Sequence, residues 1–146
     1  MKIRYNKNLF TALFAFSFLL LGCEKEDEMV VDRVVSPVLV TIAGASFTAT
    51  EPVKVTATIY ELDKSGILNN AVGIDSIPVT NLAIMVKVNN ATVAELTTDQ
   101  AGKVELNKSW AELGLTAPQK ANTVTLEFAG SHKGQAFTKP ARVQVK

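Results

Sequence analysis

The sequence predicts an all-β chain, a single sandwich of about seven antiparallel strands, carried behind an N-terminal leader and a short acidic tether. Three observations lead there. Apolar and polar residues alternate with a period of two in several runs, the mark of a strand with one face buried and one in water. No window of about eleven residues past the leader keeps a helical period. The 146 residues suffice for one ordinary domain and are too few for two.

Residues 1–22 are the leader. Met1–Asn8 carries Lys2, Arg4 and Lys7, and Leu9–Leu21 is apolar apart from Thr11 and Ser17. Such a run falls short of the about 20 apolar residues that span a bilayer comfortably, and it suits the hydrophobic region of a cleaved signal peptide. It closes with Leu20, Leu21, Gly22 and Cys23, which resembles the lipobox of bacterial lipoproteins. The resemblance implies that the Cys23 thiol takes up diacylglycerol and that Cys23 becomes the first residue after cleavage. Two or three acyl chains then hold the chain at a membrane effectively permanently, where one would bind only marginally. Cys23 is the only cysteine, so the chain has no disulfide framework and no thiol left for catalysis or zinc.

Residues 23–33 form the tether. Glu24, Lys25, Glu26, Asp27 and Glu28 resemble the lysine-plus-acidic export signal of surface lipoproteins in the Bacteroidota. That resemblance implies the outer membrane, on its cell-surface face. An acidic linker also serves simply to stay solvated and extended, which leaves the periplasmic face as the alternative. Loss of the leader removes three basic residues and no acidic one, so 12 basic groups face 14 acidic ones, a net charge of −2. A nucleic-acid partner, which requires a clustered basic footprint, is not expected.

Residues 34–146 make the sandwich. Val38–Ile42 follows Pro37, which suits an edge strand at the start of the domain, since proline cannot donate to a ladder. Val53, Val55, Ala57 and Ile59 alternate with Lys54, Thr56, Thr58 and Tyr60. The same alternation sets Ile84, Val86 and Val88 against Met85 and Lys87, and Val124, Leu126 and Phe128 against Thr123, Thr125 and Glu127. Each reads as a half-buried antiparallel strand. Val93–Thr97 and Lys103–Leu106 flank Asp99, Gln100, Ala101 and Gly102, read as a hairpin in which the glycine takes a positive φ. Ser109 and Glu112 have the spacing of a capping box, with Gly114 to stop the turn, and predict one helical turn at a crossover between sheets. Phe137–Val145 is the last strand, with Pro140 marking a bulge or an edge.

Ile77-Pro78-Val79, Leu82–Val88, Thr97–Lys103 and Val124–Gly130 together resemble bacterial Ig-like domains of the invasin and intimin kind. In that family a proline-valine lead-in to a strand and a T-x-x-x-G-K turn recur at comparable spacing. The resemblance covers residues 34 to 146 diffusely and implies an Ig-like β-sandwich serving as a spacer or binding unit on a cell surface. The sequence departs from the usual tandem array in being a lone domain, and residues 63–76 form a long polar insertion. With no cysteine pair, no tryptophan on the third strand and no tyrosine corner, it is not an antibody-type domain.

The chain offers little chemistry. A Ser-His-Asp hydrolase requires a base beside its nucleophile, and the only histidine, His132 in Ser131-His132-Lys133-Gly134, reads as a turn residue between the last two strands. Glu61, Asp63, Asp75, Asp99 and Glu105 fall at strand ends or turns, where charge is simply solvated. No GxGxxG, Walker or EF-hand pattern occurs. An oxygen-only calcium site between Asp63 and Asp75 is the sole metal arrangement left open, and no metal or cofactor is expected beyond the lipid on Cys23. Of the five aromatics past the leader, Phe128 and Phe137 fall on inward positions, which leaves Phe47, Tyr60 and Trp110. Trp110 reads first as packing against the core, and Tyr60 as outward sheet cover or a protein contact.

The expected function is therefore that of a non-enzymatic outer-membrane lipoprotein, an interaction module docking on an envelope or nutrient-import complex, with no small-molecule substrate evident. The alternative is a carbohydrate-binding or adhesive surface lipoprotein, which a joined patch of Tyr60 and Trp110 would favour. The expected interface is Tyr60, Trp110 and the apolar side chains Ile67, Leu68, Val72 and Ile74 of the insertion, which either cover the end of the sandwich or meet a partner.

Overall fold

The computed structural model describes residues 35–146; the leader, Cys23 and the acidic run Glu24 to Glu28 lie outside the described residues. Nine strands follow in order: β1 (Leu39–Ala43), β2 (Ser46–Phe47), β3 (Val53–Asp63), β4 (Asp75–Pro78), β5 (Ala83–Val88), β6 (Ala91–Thr97), β7 (Lys103–Lys108), β8 (Thr123–His132) and β9 (Gln135–Val145). They form the predicted all-β, Ig-like sandwich. The expectation of about seven strands missed β2 and β4. Two residues are too few to show alternation, and β4 is exposed throughout.

The first sheet is built around β3. Residues 56–58 of β3 pair with β1 on one side and with β7 on the other. Tyr60 pairs with both Leu39 and Pro78, so β4 continues the flank that β7 begins. The second sheet runs β2-β9-β8-β5-β6. Every pairing is antiparallel except β2 with β9, where Ser46 lies beside Gln144 and Phe47 beside Val145.

The alternation read from sequence holds. Val53, Val55, Ala57 and Ile59 are fully buried, and they face Ile84, Val86, Leu126 and Phe128 of the other sheet across one core. On the outer side Lys54, Thr123 and Thr125 are exposed. Thr58 departs from the pattern: flanked by β1 and β7, it is only 9% exposed although it faces outward. Among the described residues the buried apolar side chains come from residues 38–145, and both sheets close within the same span. Residues 35–146 thus hold a complete core and form a self-sufficient folding unit.

The turn at Asp99–Gly102 corrects the expected hairpin. β6 belongs to the second sheet and β7 to the first, so this turn is a corner between layers. The Asp99 carboxylate accepts from the amides of Ala101 and Lys103, both at 2.8 Å. Gly102 has φ +70 and sits so close to β3 that a Cβ there would lie 2.5 Å from the Ile59 carbonyl oxygen. Lys133 and Gly134, in the stretch read as the turn between the last two strands, join β8 to β9 with φ 50 and 79, and Asn89 and Asn90, which the sequence reading did not single out, join β5 to β6 with φ 49 and 66. Two successive positive φ values match the right-handed twist of the strands they connect.

The predicted single turn lies in the β7–β8 connection, between the sheets. The Ser109 amide donates to the Glu112 carboxylate at 2.8 Å, closing the capping box. At the other end, the Leu115 amide reaches back to the Trp110 carbonyl and that of Gly114 to Ala111, with Gly114 at φ +85. This pair of bonds is the Schellman ending of a helix, compressed into one turn. Pro140 lies on β9 opposite Glu127 with no register shift. β2 covers β9 only at residues 144–145, so the proline stands at an open edge.

Candidate functional site

β3 outruns the strands beside it, and its last residues carry the insertion. Tyr60 to Asp63 pair with Pro78 to Asp75, so the expected insertion of residues 63–76 begins and ends in a ladder, with residues 64–74 as its loop. The loop is a chain of tight turns. Amides of Ile67, Asn69, Val72 and Gly73 donate to the carbonyls of Lys64, Gly66, Asn69 and Asn69 respectively. Those of Ser65 and Ala71 donate to the side chains of Asp63 and Asn69. Gly66 is pressed against Val72, where a Cβ would lie 2.4 Å from a Val72 methyl, and Gly73 has φ +69.

The apolar side chains of the loop do not cover the sandwich. Leu68 is 99% exposed, Val72 64%, Ile67 56% and Ile74 48%. Ile77, Leu39 and Val35 are exposed as well, and all lie at this end, since Val35 to Leu39 and Leu62 with Lys64 line one small recess. Tyr60, half-buried, stands in the row Leu39, Tyr60, Pro78 across the outer face of the first sheet. The structure thus groups Tyr60 with the loop root.

Trp110 does not join them: it packs in the core, as its first reading had it, and so leaves the expected interface. It is 3% exposed and its indole N–H donates to the Thr48 carbonyl at 2.9 Å. It is a core residue because the capping-box turn aims it between the sheets. Trp110 follows Lys108, which pairs with Val53; Tyr60 lies seven residues further along β3, roughly 23 Å at the usual rise. The two aromatics form no common platform.

Sequence reasoning did not see what His132 touches. Its Nε2 lies 3.0 Å from a carboxylate oxygen of Glu61, and Lys133 bonds the other oxygen. Glu61 ends the long strand of one sheet and the His-Lys pair tops the β8–β9 hairpin of the other, so the contact ties the two sheets together. Lys133, then His132, hold the Glu61 carboxyl below the usual carboxylate range by hydrogen bonding to its charged form. Asp63 is held low mainly by the Ser65 amide. Asp63 and Asp75 are direct cross-strand partners, yet each turns a carboxylate oxygen onto a following amide, of Ser65 and Ser76. Among the described residues no three of His, Cys, Asp and Glu gather as metal ligands, and no helix is long and apolar enough to cross a membrane.

A second apolar surface lies on the open face of the second sheet. Met85, 41% exposed, projects beside Ala83, Ser131 and Ala136 over a shallow recess of about 500 Å³. Ile84 pairs with Gly130 and Ser131 with Ala136, which puts Ala83, Ser131 and Ala136 in one row of small side chains. The outward position of Met85 was visible in the alternation of its strand. Neither a protein-family model nor a curated protein matches the chain.

Proposed function

We propose that the chain is a non-enzymatic lipoprotein of the outer membrane, anchored through Cys23, whose Ig-like domain docks on another envelope protein. The observation that carries this reading is Met85, a large apolar side chain left 41% exposed on the outer face of the second sheet, beside the small side chains of Ala83, Ser131 and Ala136. Contiguous apolar exposure on a small domain marks a contact surface. Its fold holds it rigid, and the short acidic tether keeps it within reach of neighbours in the same membrane.

Of the two surfaces, the sheet face around Met85 suits a protein partner. Its shallow recess is lined by Met85, the small side chains of Ala83, Ser131 and Ala136, and Glu95 on the neighbouring strand, so that a partner's apolar side chain can lie against the backbone beside one carboxylate. The carbohydrate-binding reading has less support, because Trp110 is in the core and no aromatic platform faces water. Met85→Glu places a charge on this face without touching the core. Co-purification of a membrane protein from detergent extracts should fall sharply while the thermal midpoint stays unchanged; retained co-purification would remove this face from the interface.

A further inference from the structure

We infer that the 64–74 loop is a lipid-contacting foot, which dips into the surface of the membrane that holds the chain and sets the tilt of the domain. The inference rests on the anchored reading of Cys23. Ile67, Leu68, Val72 and Ile74 are about half exposed or more, and from Ser65 to Ile74 the sequence holds no charged residue. A loop that stays in water gains nothing from this composition.

The backbone is prepared for a dry environment. Unpaired amides are what keep irregular loops out of lipid, and here six of the ten amides from Ser65 to Ile74, those of Ser65, Ile67, Asn69, Ala71, Val72 and Gly73, already donate within the loop or to Asp63 at its root. Interfacial binding grows with the apolar area buried at the headgroup boundary. With Asp63, Lys64 and Asp75 as the nearest charges, attraction to anionic lipid adds little. The target is therefore the apolar zone beneath any headgroup, rather than an acidic surface.

Position points the same way. The described chain starts at Val35, beside Leu62 and Lys64 at the root of the loop, so the tether joins the domain at the end that bears the loop. Cys23 lies twelve residues earlier. Twelve residues, however they are arranged, reach at most about 40 Å. The loop end thus stays near the bilayer, while the Met85 face is on the other sheet and free for a protein.

The test places an indole at the loop tip with Leu68→Trp, in the lipidated full chain and in residues 35–146 alone, against vesicles of phosphatidylethanolamine with a minor fraction of phosphatidylglycerol. Trp110 is buried and serves as the shielded background. The expected result is a blue shift and quenching of the introduced indole by brominated acyl chains, insensitive to salt. Replacing Ile67 and Val72 by serine in residues 35–146 should weaken vesicle partitioning about tenfold or more, since each side chain, already partly buried in the loop, contributes roughly three- to tenfold on entering the lipid. An indole in the lipidated chain that stays unquenched overturns the inference, as does a crosslinker at position 68 that captures protein in place of lipid. Metabolic palmitate labelling reports on Cys23 separately, so loss of the anchor and failure of the foot give different results.

Discussion

Single side chains divide sharply by face. Ile59 and Leu126 are fully buried on the inner face, whereas Thr125, one residue from Leu126, points to water. Ile59→Ala or Leu126→Ala should cost about 2–5 kcal/mol through lost burial and the cavity left behind, and Thr125→Ala far less. Similar denaturant midpoints for the two classes would contradict the register. Glu112 supplies a second measurement. The Lys108 ammonium first, then the Ser109 amide and hydroxyl, lower its carboxyl to about 2. A depressed carboxyl contributes its stabilisation above the ordinary value of 4.5, and that contribution fades as pH falls toward 2. An NMR titration should find Glu112 still ionised at pH 3.5, and Ser109→Ala should raise its midpoint; an ordinary midpoint in the parent chain would show the capping box open.

Among the elements, β3 and its loop behave as two different things. The first part of β3 forms the centre of the core, and its last residues carry β4 and the 64–74 loop, with Glu61 tied to His132 and Lys133 of the other sheet. Replacing residues 65–74 by a short Gly-Ser linker should leave the melting temperature within a few degrees of the parent, because the loop's exposed side chains contribute little burial to lose. A large fall would assign them to the core. This loop was legible in the sequence as a long connection with four unexplained apolar residues. Its outcome was not, because whether an apolar loop folds back over the sandwich or stands off depends on its turns, such as the seat of Gly66 against Val72. Trp110 shows the reverse. Its turn was legible from Ser109, Glu112 and Gly114, but the direction of the ring depended on the Thr48 carbonyl, 62 residues away.

For the molecule as a whole, the address and the domain are separable. Under the proposed lipid anchor, Cys23→Ala should abolish palmitate incorporation, because the thiol would be the acyl acceptor; continued labelling would refute the anchor. Replacing Lys25, Glu26, Asp27 and Glu28 with alanine should preserve labelling but reduce protease accessibility on intact cells, and unchanged accessibility would leave the run as a spacer. Neither change should alter the melting of the domain, whose core among the described residues lies within residues 38–145.

From the sequence alone came the β class, the inward set of the three strong strands, the capping-box turn and the edge position of Pro140. These depend on local spacing and local hydrogen bonds, which neighbouring residues settle among themselves. The assignment of strands to sheets came only with the tertiary structure. Asp99 to Gly102 looks like a hairpin turn by its residues, and it becomes a corner because β7 finds its partner on β3 and β6 on β5. The Glu61 contact with His132 and Lys133, the Thr48 carbonyl as partner of the Trp110 indole and the exposure of Leu68 have the same origin. Each depends on residues far apart in the chain that meet only when two sheets close over one core, and no periodicity within a single segment records that meeting.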